Sequence, residues 1–318
     1  MIDAEASLRA SRRPLVLGIG GGGDVVGALA TAEFSRVYDG SQPIVGGLAW
    51  ERSPVDPVPG GRTCEEIAGA VPLAPGILLA DKDTHVRESG VVFSEARMAA
   101  YLGEPTILVD VDIGPASVAA GLAQAAAALE RDLVVMIDVG GDMLADGSEP
   151  GLRSPLCDAL MMAAGLRLAE LGVPVICGVF GLGCDGELTV REGLDRLAAI
   201  GRAGGLLGVR GLTEPVAARL EAAIEHIPTE ASMLAVRAFR GQYGNVKIRG
   251  GAVTVDLTPV AAQTVFVDLE TTFCKIGRLA RAVINADSLA EANSLLNRLG
   301  VRTELDLEHA RQARGTLS

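Results

Sequence analysis

The chain has 318 residues, 49% of them hydrophobic but only 3% aromatic, and a formal net charge of −12. That length suits one large α/β domain, and Ala, Val, Leu and Ile must fill most of its core. The acidic balance argues against a nucleic-acid partner, and no apolar run approaches the roughly 18 residues that span a bilayer.

The five cysteines, Cys64, Cys157, Cys177, Cys184 and Cys274, form no C-x-x-C pair, which fits reduced thiols. Zinc is not expected, because His85, His226 and His309 lie far from any cysteine cluster. The opening MIDAEASLRASR lacks the apolar region of a secretory signal. A cytoplasmic protein is the expectation.

PLVLGIG (14–20) reads as a fully buried strand, followed by helical spacing from Asp24 to about Tyr38. PIVGGLAW (43–50), TILVDVD (106–112) and LVVMIDVGGD (133–142) read as further strands, with an alanine-rich helix over 115–130. A helix follows Pro155, and PVICGVFG (174–181) is a fifth strand. Helical patterns dominate 189–239. RGQYGNVKIRGGAVTVDL (240–257) reads as a loop and a strand, TVFVDLE (264–270) as a strand, and 287–299 as a helix capped by Asp287. Strands alternating with helices predict a doubly wound, mostly parallel, Rossmann-like sheet with helices on both faces. One domain over 1–318 is expected, its 240–318 part extending or covering the same sheet.

Three stretches carry the residue types that do chemistry. In GIGGGGDVVGAL (18–29), Gly18, Gly20 and Gly23 satisfy G-x-G-x-x-G between a strand and a helix. Bare glycines at Gly20, Gly21, Gly22 and Gly23 let a ligand approach the backbone, and the helix N-terminus favours an anion. Glu51, after the second strand, is placed to grip a ribose. Asp24 opposes a phosphate unless a cation or hydroxyl lies between, and its bland alternative is to cap the helix.

The second stretch is acidic. Asp110 and Asp112 end one strand, and Asp138 and Asp142 flank Gly140-Gly141 at the end of another. Carboxylates converging on one sheet edge repel unless they hold Mg²⁺ or sugar hydroxyls, so these four are the candidate metal ligands. Asp138 and Asp142 are the candidate catalytic pair. In SEPGLRSPLCDA, Ser154 and Pro155 look like a helix start with Asp158 near the capping-box position, whereas Arg153 is free to meet an anion. The third stretch, DKDTHVRESG (81–90), offers His85 for proton transfer.

GIGGGGDVVGA, IDVGGDMLADGSEPGLRSPLCDA and the late RGG…V-x-L-x-P before a V-F-V-D strand resemble an archaeal and bacterial family, domain of unknown function eleven-fifty-two. The resemblance spans nearly the whole chain and implies no activity. The residues themselves predict an enzyme binding a nucleoside- or nucleotide-like small molecule at the sheet's carboxyl edge. Its chemistry would be metal-assisted hydrolysis or group transfer, with Mg²⁺ as the metal. Two rivals stay open: an NAD-type oxidoreductase using the glycines and Glu51, and a non-catalytic nucleotide sensor. The apolar content with few aromatics also predicts a homo-oligomer.

Overall fold

In the computed structural model, which describes residues 3–315, the chain builds a nine-stranded sheet and two short two-stranded ribbons. The first half contributes β1 (Pro14–Gly18), β2 (Ile44–Leu48), β3 (Ile67–Ala68), β4 (Val71–Ala74), β5 (Ile77–Ala80), β6 (His85–Val86) and β7 (Thr106–Val109). The second half contributes β8 (Leu133–Val139), β9 (Val175–Phe180), β10 (Leu206–Gly211), β11 (Gly244–Ile248), β12 (Val253–Leu257) and β13 (Gln263–Val267). The sheet order is β10-β13-β9-β8-β1-β2-β7-β5-β4, and the strands from β9 to β7 run parallel. β13 and β5 pair antiparallel on either flank.

The helices are α1 (Ala4–Ala10), α2 (Asp24–Phe34), α3 (Ser94–Leu102), α4 (Gly114–Ala128), α5 (Pro155–Glu170) and α6 (Val190–Arg202). Then follow α7 (Glu214–His226), α8 (Glu230–Phe239), α9 (Leu269–Lys275), α10 (Arg278–Val283), α11 (Leu289–Arg298) and α12 (Glu304–Gly315). Alternation along the strands assigns them to faces. Leu15, Leu17, Val134, Met136, Cys177 and Val179 join one core with α4, α5, α10 and α11. Val16, Val135, Ile137, Ile176 and Phe180 join the other with α2, α7 and α8. Every strand residue from Leu133 to Val139 is buried, as a parallel sheet covered on both sides requires. The fold is doubly wound and Rossmann-like.

In chain order the five parallel strands stand third, second, first, fourth, fifth across the sheet. The chain therefore reverses its direction of travel between β1 and β8, and loops leaving that point frame a crevice at the carboxyl edge. Both glycine-rich turns leave from there: Gly18 pairs with Ile137 in register, and Ile19 N–H donates to the Ile137 carbonyl at 3.0 Å.

Four local expectations change. The 189–239 region holds β10, whose two-sided pattern of buried and exposed residues is that of a sheet edge. Residues 240–257 form the β11–β12 hairpin instead of a loop and one strand. β13 stops at Val267, because Asp268 accepts from Thr271 N–H at 2.8 Å and starts α9. Ser288, not Asp287, caps α11, accepting from Glu291 N–H at 3.2 Å. Sequence reading also passed over β3–β6 and α3, which are short and have weak periodicity.

Candidate functional site

The turn after β1 is closed by Asp24, the first residue of α2, whose Oδ2 accepts from Gly20 N–H at 2.9 Å. Gly23 occupies the cap position, so Asp24 does not cap its helix but folds back on the loop. Gly21 and Gly22 adopt φ of +79° and +56°, a conformation that favours glycine. Burial pushes the Asp24 carboxyl up to about 7, with Gly20 N–H and the Arg52 charge resisting the rise.

Arg52 stands over this loop. Its guanidinium stacks 4.3 Å from the Trp50 ring centre, and Nη2 donates to the Gly20 carbonyl. The same nitrogen lies 3.2 Å from Glu304 Oε1 and 3.4 Å from Cys157 Sγ. Nη1 is enclosed yet has no acceptor among the described residues. Glu304 begins α12 and also accepts the Leu156 and Cys157 amides of α5, each at 3.0 Å.

The turn after β8 brings Asp138, whose oxygens accept from Met143 N–H at 3.1 Å and Gly141 N–H at 3.4 Å. Asp142 follows in a short 3₁₀ turn and is 6% exposed. A third turn, after β9, supplies Asp185 and Glu187. Oxygen atoms of Asp142, Asp185 and Glu187 all lie within 4.8 Å of one another. Gly140 makes room for them: a Cβ there would stand 2.3 Å from Asp185 Cγ. The Ser154 hydroxyl donates to Glu187 Oε1 at 2.6 Å and lies 3.2 Å from Asp142 Oδ2.

Asp158 completes the set from α5. It is 2% exposed, has no hydrogen bond, and neighbours the charges of Asp138, Asp24 and Glu304. No side-chain cap forms at Ser154, so the expected capping box is not made and Asp158 faces the interior. Burial drives the carboxyls of Asp138, Asp142 and Asp158 well above their ordinary range, and their like-charged neighbours add to it. Asp185 is raised to about 6, again chiefly by burial. Such an edge can hold protons, sugar hydroxyls or a hard cation, because nearly every donor is a carboxylate oxygen.

The structure joins Gly20 to Asp24 with Asp138 and Asp142, and separates the other candidates from them. Asp110 lies beyond β7 and accepts from Cys64 and Asp112 amides, each at 2.9 Å. Asp110 and Asp112 thus form a local turn at the start of α4, two strands from β1, rather than ligands shared with Asp138 and Asp142. Glu51 is buried, and its Oε1 accepts from Ser94 N–H at the start of α3. His85 sits in the β3–β6 ribbon, its Nδ1 2.7 Å from the Asp83 carbonyl. Arg153 donates its amide to Glu187 at 2.5 Å while its side chain is exposed.

Sequence reading missed Arg52, Asp185, Glu187 and Glu304, and gave Asp158 only a capping role. GLGCDGE after β9 repeats the glycine-and-acid pattern of VGGD after β8, and that repetition is the signal for Asp185 and Glu187. Glu304 had none, lying about 150 residues from the helix it serves.

Neither the curated proteins nor the solved structures compared with the chain include a match. A family model described as "Protein of unknown function (DUF1152)" matches residues 15–312, which takes in every loop of the crevice. The chain belongs to this family.

Proposed function

We propose that the protein is an enzyme that binds a nucleoside- or nucleotide-like small molecule in this crevice. The reaction is metal-assisted hydrolysis or group transfer at a glycosidic or phosphoryl centre. The observation that carries the reading is Asp158, a carboxyl 2% exposed and without a hydrogen bond, beside Asp24 and Asp138 from the turns after β1 and β8. A buried polar group left without a partner costs about 1–3 kcal/mol, so a fold retains one where a ligand completes it.

Asp142, Asp185 and Glu187 would hold a divalent cation such as Mg²⁺, and the orphan Asp142 Oδ1 and the Gly140 cradle fit that role. The cation, when bound, supplies positive charge against a developing anion. Asp24, near 7, is divided between its two forms at neutral pH and suits a base that takes a proton from water or a substrate hydroxyl. Asp138 and Asp158, which keep their protons to higher pH, suit hydroxyl recognition. Arg52 offsets the Asp24 charge beside the glycine loop and meets an anionic group. The same reading places the enzyme in the cytoplasm, supported by five unpaired cysteines and, among the described residues, no helix able to cross a membrane.

A thermal-shift panel of nucleosides, nucleotides and NAD, each with and without Mg²⁺, tests this. At about 100 times its Kd a ligand adds about 2.7 kcal/mol, a rise of about 4 °C for a chain of this size. The expected result is such a rise with a nucleoside or nucleotide, enhanced by Mg²⁺. A response to NAD alone, or to nothing, contradicts the proposal.

A further inference from the structure

The triad has a resident counter-charge. Arg249, in the turn of the β11–β12 hairpin, places Nη2 3.0 Å from Glu187 Oε1. Its amide is held by Glu230 at 2.9 Å, and its φ is +52°, which a non-glycine residue sustains only when contacts enforce it. We propose that Asp142, Asp185 and Glu187 form a divalent-cation site whose charge is balanced, while no ion is bound, by Arg249, so that the cation and the hairpin compete for Glu187. The inference rests on the metal-assisted reading above and adds to it the displaced group and the movement it releases.

Four observations carry it. Oxygens on opposite sides of a Mg²⁺, Mn²⁺ or Ca²⁺ ion stand ~4–5 Å apart, and one oxygen from each of the three carboxylates lies within 4.8 Å of the other two, close enough for one ion to reach all three. Asp142 Oδ1 is enclosed with no donor, and Asp142 and Glu187 are 6% and 2% exposed, so this is an interior site and not a solvated acidic face. Gly140 leaves the space that the Asp185 carboxylate fills. One guanidinium against three carboxylates leaves negative charge uncompensated when they ionise, whereas a divalent ion brings one more positive charge to the same oxygens. Arg249 is also the most accessible member of the cluster, its side chain 36% exposed, so it can leave while the carboxylates stay. Freed from Glu187, the turn at 249–251 keeps the Glu230 contact to its amide but loses its link to the triad, so the turn loosens while Ile248 and Val255 hold the rest of the hairpin in the core.

The probe is Mn²⁺ alone, titrated by calorimetry into the full chain. Wild type is expected to bind one ion, and Arg249→Gln to bind it at least fivefold more tightly, because the competing cation is gone. Asp142→Asn should weaken binding at least tenfold. It is preferred to a Glu187 variant because Glu187 also accepts the Arg153 and Ser154 amides and its loss endangers the fold. Limited proteolysis near residues 249–252 should accelerate in wild type when Mn²⁺ is added. Wild-type binding with unchanged or weaker affinity in Arg249→Gln overturns the competition while leaving the metal-assisted reading standing. Binding unaffected by Asp142→Asn overturns the site. Absence of Mn²⁺ binding in both wild type and Arg249→Gln overturns this inference and the metal part of the reading together, and a metal-independent nucleotide shift would show which part of that reading survives.

Discussion

Glu304→Ala is expected to lower the unfolding free energy by about 3–5 kcal/mol, measured by urea denaturation, more than any other single change at the crevice. One carboxylate receives the Leu156 and Cys157 amides at the start of α5 and the Arg52 guanidinium. Its removal leaves two amides without an acceptor and takes from Arg52 the carboxylate that balances its charge, and the loss of that ion pair dominates the cost. α5 is apolar almost all round and packs against α4, α10 and the sheet, so loosening its first turn is transmitted to the core. Arg52 would also lose one of the contacts that hold it over Gly20. A loss below about 1 kcal/mol would mean that water reaches these amides and that the α12 contact is incidental.

Stability should fall as the pH rises from about 5 to about 8, and Asp158→Asn should flatten that decline. Asp24, at about 7, and Asp185, at about 6, hold their protons more tightly folded than unfolded. Asp138, Asp142, Asp158 and Glu95 are raised further by burial. Stabilisation from a raised carboxyl pKa is complete below its unfolded value near 4 and is lost as the pH climbs through the folded value. For Asp24 alone, the two units between pH 5 and its folded value of about 7 correspond to a loss on the order of 3 kcal/mol by pH 8, at about 1.4 kcal/mol per unit. Asp132, Asp146 and Asp306 are shifted the opposite way, and their contribution is lost only below about pH 4, outside this window. Since the Asp158 side chain has no hydrogen-bond partner among the described residues, its amide replacement removes a buried carboxyl that resists ionisation and breaks no bond. Melting temperatures of both proteins at pH 5 and pH 8 test this. The variant should gain about 1–2 kcal/mol at pH 8 and little at pH 5. A destabilised variant at pH 8, or a wild type as stable at pH 8 as at pH 5, would contradict the placement of these carboxylates.

The parts of the fold that obey period 2 or 3.6 were legible in the sequence. β1, β8 and β9 are continuous apolar runs because both faces are covered, and α4 declares itself by its alanines. The junction of Gly20–Asp24 with Asp138–Asp142 was legible too, since two parallel strands must open their turns on the same edge. Asp110 and Asp112 followed the same rule yet belong elsewhere: the rule fixes the edge but not which strands are neighbours, and β2 stands between β7 and β1. The surroundings of Glu51 were hidden for a different reason. Its Oε1 accepts from the start of α3, an element of nine residues whose apolar stripe is interrupted by Glu95 and Arg97. Arg52 and Glu304 are tertiary facts, paired across 252 residues, and no local spacing encodes them.

Anomalous scattering from crystals grown with Mn²⁺ and a nucleotide tests the central claim most directly. The account predicts one manganese peak between Asp142, Asp185 and Glu187, with the nucleotide lying along Gly20–Asp24 beneath Arg52. No manganese peak at the triad, or a nucleotide bound away from the β1–β8 crevice, would contradict it.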